Sequence, residues 1–298
     1  FEPSGADDSL RLMDRWQPHG MLVRVHNRRM GNRVLKAGIP TVDLGYVIPE
    51  MFPWSLTNHQ EQVGDLAAKH LMNCGFSRYA FCGWGPKDPS ANIWEGRRLE
   101  SFREKLGKPV SVYAWPTRAD DRRWAREQRH LASWLAELPK PVGVFASNDM
   151  RASHILSACR LADLRVPEDV GLIGVDNDEV LCEVASPTIS SVALNLEGIG
   201  MQGAELLDGI LDGKSYEGEK FLVPPLGVVA RQSTDVVATD DEVVIHAVRF
   251  MRAQLANGID VSDVVAALPI SRKALEIRFR KALGRTPLAE LRRLRIDR

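Results

Sequence analysis

The sequence predicts an α/β body built on parallel sheets with helices on both faces, followed by a small all-α domain. Three observations predict it. Short β-rich runs alternate with longer helical stretches between residues 21 and 211, the pattern of strands joined by crossover helices. Nearly every one of those runs is apolar throughout, as strands covered on both faces must be. Beyond about residue 237 the strand signals stop and helical periodicity continues to the end of the chain.

The expected strands are Met21–Val25, Thr41–Leu44, Arg78–Cys82, Val110–Ala114, Val142–Ala146 and Val170–Val175. The expected helices are Asn58–Cys74, Trp94–Leu106, Asp121–Leu138, Met150–Ala162 and Leu196–Leu211, with Asn58 and Asp121 as N-caps because their short polar side chains can accept from a free first-turn N–H. After Gly213 the pattern changes. Lys220–Gln232 reads as extended and Pro-interrupted, and Ser233–Asp241 as a small, polar linker. Val243–Leu255 restores helical spacing. Val261–Gly284 (VSDVVAALPISRKALEIRFRKALG) reads as a short helix, a tight turn and a second helix carrying Arg272, Lys273, Arg278, Arg280 and Lys281.

The chain has 298 residues, room for two or three domains, with 44% hydrophobic and 26% charged residues, an ordinary soluble composition. The net charge is zero, but it is divided unevenly. Asp241 to Arg298 holds twelve basic and seven acidic residues, a net of +5, which leaves −5 on residues 1–240. A basic tail on an acidic body points to a polyanionic partner for the tail. Cys74, Cys82, Cys159 and Cys182 form no C-x-x-C pair and stand near no His at metal-ligand spacing, so they read as buried, reduced thiols. No apolar run is long enough to span a bilayer, and no signal peptide opens at Phe1. The expectation is a cytoplasmic protein with no membrane contact, metal or cofactor.

Ligands bind parallel sheets at the carboxyl ends of the strands. Two such ends are unusually polar: Ser147-Asn148-Asp149 after Val142–Ala146, and Asp176-Asn177-Asp178 after Val170–Val175. Carboxylate, amide and guanidinium groups together can satisfy the vicinal hydroxyls of a sugar, while an aromatic ring covers its apolar face. Asn148, Asp149 and Asp176 each also read as a helix cap or turn residue. Trp84, Trp94 and Trp54 are the candidates for stacking. Gly83-Trp84-Gly85 follows a strand but is not a dinucleotide fingerprint, because Lys87, Asp88 and Pro89 stand where the further glycine is needed. Asp149 and Asp176 could serve an enzyme as acid and base, but no nucleophile–base pair, metal cluster or phosphate loop accompanies them, so no catalytic residue is assigned.

In the C-terminal segment, Phe279 and Ala282–Leu283 follow Leu275 at helical spacing and should face a core. Arg272, Lys273, Glu276 and Arg280 share another face, and Ile277 is grouped with them as the DNA-contacting set. An arginine or lysine there can donate to guanine and a glutamate can accept from cytosine. Arg278 lies nearer the packed flank, where an ion pair can hold it.

Gly143–Asp149 (GVFASND), Val166–Asp178 (VPEDVGLIGVDND), Thr188–Ala193 (TISSVA) and Leu222–Thr234 (LVPPLGVVARQST) are similar to the ligand-binding domain of LacI-type regulators, itself related to periplasmic sugar-binding proteins. Ile270-Ser271-Arg272, Leu275, Arg278-Phe279, Leu283-Gly284, Thr286-Pro287 and Leu291-Arg292-Arg293-Leu294-Arg295 resemble an AraC-type DNA-binding domain. The combination resembles the xylose-responsive transcriptional regulators. That resemblance covers nearly the whole chain. It implies a two-lobed sugar domain over residues 1–236, with lobe 1 about 1–75 plus 194–215 and lobe 2 about 76–193 plus 216–232. Residues 237–298 would then be a partial AraC-type domain, in which Leu288–Arg298 matches the helix that joins two helix-turn-helix units. Carried over position by position, the resemblance implies that Arg98, Asn148 and Asp176 bind the ligand, beside Asp149 and Trp84. It also implies a sugar effector such as D-xylose, operator DNA and a second copy of the chain as partners. Leu194 departs from the Gln found in several sugar-binding relatives, leaving Asn195 as a substitute, and Pro269 replaces the usual Gly at the turn. The residues alone also fit a solute-binding sugar receptor, which the basic C-terminal domain opposes.

Overall fold

A computed structural model describes residues 18–45, 48, 50–84, 93–113, 124–216, 220–236, 239 and 241–296. In chain order its elements are β1 (Met21–Val23), α1 (Arg28–Lys36), β2 (Thr41–Asp43), β3 (Trp54–Asn58), α2 (Gln60–Asn73), β4 (Tyr79–Cys82), α3 (Ile93–Leu106), β5 (Val110–Tyr113), α4 (Trp124–Glu137), β6 (Val142–Ala146), α5 (Asp149–Leu161), β7 (Val170–Asp176), α6 (Glu179–Val184), β8 (Ser190–Ala193), α7 (Leu196–Leu211), β9 (Lys220–Val223) and β10 (Gly227–Val229). A 3-10 turn at Gln232–Thr234 follows, then α8 (Glu242–Gln254), α9 (Val261–Ala266), α10 (Arg272–Leu283) and α11 (Pro287–Ile296).

The strands form two sheets. The first is all parallel in the order β1-β2-β3-β9, and the second runs β10-β8-β7-β6-β4-β5 with only β10 antiparallel. The chain passes between the two lobes after β3, after β8 and between β9 and β10. Backbone hydrogen bonds from His59 N to Val223 O and from Leu226 N to Ala193 O, both 2.9 Å, tie these crossings together.

Several expectations need correction. Asn58 ends strand β3 and caps nothing; His59 holds the N-cap position of α2 without a side-chain cap bond. Asp121 lies outside the described residues, as do Gly85, Lys87, Asp88 and Pro89. Helix α2 does not belong to the first lobe. Val63, Ala67, Ala68 and Leu71 form one apolar stripe packed with Phe76, Phe81, Phe102 and Phe145 in the core of the second. Strand β9 sits in the first lobe because it pairs with β3. Ser233 and Thr234 are not linker: both are buried, and Ser233 Oγ donates to Leu172 O at 2.6 Å.

Gly64 explains how closely α2 and α3 approach. A Cβ there would lie 2.1 Å from Ser101 Oγ and 2.3 Å from Arg98 O, so only glycine permits this backbone contact.

The C-terminal helices have a separate core of Val244, Val248, Met251, Val264, Leu275, Phe279, Leu283 and Leu291. Asp260 and Asp263 form a capping box at α9, Ser271 caps α10 by accepting from Ala274 N, and Gly284 ends α10 in the left-handed conformation at φ +66°. Asp241 caps α8 and also accepts both carboxylate-directed bonds of Arg278, each 3.0 Å, so Arg278 sits in the ion pair its flank position predicts. All four cysteines are buried and unbridged. Among the described residues no helix is long and apolar enough to cross a membrane.

Candidate ligand cleft and nucleic-acid interface

The carboxyl ends of β3, β4, β6 and β7 carry a cluster centred on Arg98. Helix α3 delivers this side chain nine-tenths buried or more. Its Nε donates to Gln60 Oε1 at 2.7 Å and one terminal nitrogen donates to Ser147 O at 2.5 Å, while the guanidinium lies 4.6 Å from the Trp94 ring centre. Burial pulls its pKa down to about 10, against the opposing charges of Asp176, Glu95 and Asp149. It therefore stays a cation at neutral pH.

Asp176 ends β7 at φ +106° and Asn177 follows at φ +53°, both outside the region that side chains ordinarily prefer. Burial raises the Asp176 pKa, and the charges of Arg98 and Arg24 oppose that rise. Arg24 follows β1, so its charge acts on this carboxylate from the other lobe. Residues from both lobes thus meet in one electrostatic neighbourhood.

The two residues between them have structural duties. Asn148 Oδ1 caps α5 by accepting from Arg151 N at 2.9 Å, and it accepts from Trp84 Nε1 at 3.3 Å. Asp149 is buried; Oδ1 accepts from Ser191 Oγ at 2.7 Å and Oδ2 from Asp178 N at 2.8 Å. Burial pushes its pKa up to about 6, against those hydrogen bonds. Asp149 therefore shapes the loop after Asp176 from behind. Trp84 is half-buried, its ring 5.1 Å from the Arg151 guanidinium, and its N–H is held by Asn148. Trp54 is not in the cleft: its Nε1 donates to Tyr216 O and its ring packs in the first lobe's core. Leu194 is packed in the second lobe's core, and Asn195 spends its side-chain oxygen capping α7 through Gly198 N.

Sequence reasoning missed Gln60, Arg24, Trp94's place beside Arg98, and the polar end of β3. Asn58 Oδ1, Ser147 Oγ and Asn177 Oδ1 are buried without a hydrogen-bond partner among the described residues. Such atoms are costly unless something satisfies them, and each stands at a strand end. The rule that singled out Asn148 and Asp176 would have found Asn58 and Gln60 had Trp54–Asn58 been read as a strand.

On α10, Leu275, Phe279 and Leu283 are buried at the helical spacing expected, with Ala282 packed against them. Arg272, Lys273, Ile277 and Arg280 are exposed, and Glu276 is half-buried beside them. Arg272 Nε lies 3.4 Å from Glu276 Oε1, so two of the proposed readers are paired with each other on the surface. Ile277 is 59% exposed, an apolar side chain held out among charges.

Residues 68–234 match the model of the periplasmic binding protein-like domain. The xylose operon regulatory protein of Escherichia coli K12 is 32% identical over 279 residues, covering 91% of this chain and 70% of the relative. The chain belongs to the xylose operon regulatory protein family. The protein of that name from Haemophilus influenzae is 32% identical over 256 residues, covering 83% of this chain and 65% of the relative. A solved structure of the xylose-binding transcription activator xylR matches with a TM-score of 0.67 at 28% identity, over 100% of this chain and 84% of that one. The family's two-lobed α/β body is the architecture described above, and the relatives named are regulators rather than enzymes.

Proposed function

We propose that the protein is a sugar-responsive, DNA-binding transcriptional regulator in which a pentose, D-xylose first among them, binds between the lobes and activates sugar catabolic genes. The observation that carries this reading is the buried Arg98 facing the strained Asp176 carboxylate at the strand ends, with Arg24 approaching from the other lobe. A cation and an anion held apart in a desolvated cleft can donate to and accept from neighbouring hydroxyls, and Trp84 and Trp94 supply flat apolar surface for the ring. The relatives' names, a xylose operon regulator and a xylose-binding activator, support the choice of sugar.

The helical unit is proposed as an AraC-type DNA reader. Helix α10 enters the major groove with Arg272, Lys273, Glu276, Ile277 and Arg280 toward base edges and phosphates. Two copies of the chain pair in a homodimer, so that lobe closure alters the spacing of two such helices. A cytoplasmic location follows from the DNA partner. Calorimetry against aldopentoses and hexoses tests the sugar, and an operator titration with and without it, repeated across salt concentrations, tests the switch. Operator affinity that no bound pentose changes would overturn the reading. Sugar binding without any salt-dependent DNA binding would favour a solute receptor instead.

A further inference from the structure

We propose that Arg285 is the residue that positions the DNA-reading unit on the sugar-sensing body, by clasping the end of the same helix that holds the ligand arginine at its start. The inference rests on the proposed regulatory reading and adds the route by which occupancy reaches DNA.

Helix α2 begins in the cleft. Gln60, its first residue, is buried and accepts from Arg98 Nε at 2.7 Å. Thirteen residues later it ends at Asn73, about 20 Å away at the usual helical rise. There Arg285 donates from a terminal nitrogen to Asn73 O at 2.5 Å. The last carbonyls of a helix lack intrahelical donors and carry the negative end of its dipole, so a guanidinium is well suited to them. The same Arg285 forms an ion pair through Nε with Glu290, which is almost fully buried in the helical unit and is also held by Arg293 at 2.8 Å. One planar fork thus joins a sensor helix to the core-facing carboxylate of the DNA unit.

The clasp matters because the rest of the junction is thin. Among the described elements no helix of the C-terminal unit packs broadly on the body. A cavity of about 650 Å³ separates them, lined by Arg78 and Pro141 on one side and by Asp241, Arg278 and Lys281 on the other. The covalent connection stays on the second lobe through Val236, which packs against its core, and Thr234 anchors it there with its hydroxyl bonded to Ser190 at 2.6 Å and to His70 of α2 at 2.7 Å. One covalent attachment alone leaves the orientation of the unit undetermined. A second attachment at Asn73 fixes it. Helix α2 is packed wholly in the second lobe, so both attachments belong to that lobe and the DNA unit turns with it when the lobes close.

The test uses the full-length protein with spin labels at the exposed positions Lys69 on α2 and Arg292 on α11. The native residue should give one narrow distance distribution. Arg285→Ala should broaden it. Arg285→Lys keeps a cation for Glu290, and hence the folded unit, but a single ammonium cannot serve both Glu290 and the Asn73 carbonyl in the manner of the fork, so it should broaden the distribution as well. In parallel, a sugar-induced change in operator affinity on the order of tenfold should fall to about twofold or less in Arg285→Lys, with sugar affinity unchanged. A broad distribution in the native protein, or a narrow one in both variants, overturns the proposal. If no sugar alters operator affinity in the native protein while the distance still depends on Arg285, the regulatory reading fails and the clasp stands.

Discussion

Asp176 combines a proposed binding role with backbone strain, and two substitutions separate them. Its φ of +106° is a conformation that costs a non-glycine residue about 1–3 kcal/mol. Its carboxylate is proposed to accept from sugar hydroxyls, and a hydrogen bond to a charged group contributes about 1.5–3 kcal/mol. Two such bonds would amount to about 3–6 kcal/mol. Asp176→Asn keeps the shape and tolerates positive φ, but it offers one neutral acceptor at roughly half the strength, so about 2–4 kcal/mol is lost, a rise in Kd of roughly 30- to 1,000-fold. Asp176→Gly removes both acceptors and relieves the strain. After about 0.5–1 kcal/mol for the added freedom of the unfolded chain, it should be more stable by about 1 kcal/mol while binding no sugar. Calorimetry with D-xylose and thermal unfolding without it measure the two effects on the same preparations. An Asn variant whose Kd stays within about threefold of the native value, a change below 1 kcal/mol, would refute the carboxylate's role. A Gly variant that melts earlier would refute the strain.

Gly64→Ala should open the contact between α2 and α3, because the Arg98 carbonyl 2.3 Å from the new Cβ is backbone and cannot swing aside; the expected loss is about 1–3 kcal/mol in urea unfolding, with weaker sugar binding as Gln60 moves off Arg98. Phe279→Ala empties the fully buried centre of the helical core, at a cost of about 3–5 kcal/mol; DNA binding should vanish while sugar affinity persists, and a variant that still binds operator normally would contradict the core assignment. Asp149 provides a pH test: burial raises its pKa from 3.8 to about 6, so the folded state holds this proton more tightly than the unfolded chain does. Its contribution to stability is therefore full in acid below the unfolded value and declines as pH rises through 6, by about 3 kcal/mol in total. The difference in unfolding free energy between the native protein and Asp149→Asn should follow that decline between pH 4 and 7, and a flat difference would show that the carboxyl is not desolvated.

The apolar strands were legible because burial on both faces leaves no room for ambiguity. Val142–Ala146 and Val170–Val175 are strand as their composition predicts, the second running one residue further to Asp176. Trp54–Asn58 was not legible, because Trp-Ser-Leu-Thr-Asn alternates and ends against a helix whose polar start absorbed Asn58. That one miss hid the polar end of β3 and put α2 in the wrong lobe. Which lobe a helix joins depends on contacts distant in sequence, here the α2 stripe clustered with Phe102, Phe145 and Ile173, which no local window contains. The short α1 and α6 were missed for lack of length: Arg28–Lys36 buries only Gly31 and Val34, too little for a periodic signal. At the cleft, the polar strand ends exposed Asp176 and Asp149 together and residue type could not separate them, because the bonds of Asp149 to Ser191 and Asp178 exist only in the folded chain. Arg98, on a helix, was pointed to only by the family resemblance.

Charge counting shows the same limit at the other end of the molecule. The sequence gives the C-terminal segment a net of +5, yet several of those cations are engaged within the protein. Arg278 is held by Asp241, Arg285 and Arg293 by Glu290, and Arg295 donates to Ile259 O at 2.6 Å. These partners hold the guanidiniums in place, which limits the phosphates they can approach even though their charge still adds to the unit's field. Lys273, Arg280 and Lys281 project from α10 into solvent, and the exposed Arg272 shares its charge with Glu276. A phosphate contact releases counterions only if the cation making it is free to approach. The salt dependence of operator binding should therefore track this exposed set on α10, not the total that composition suggests. Under the proposed regulatory reading, the internal pairs hold the angle at which that set is presented, and that angle is the quantity a rotation of the second lobe would change.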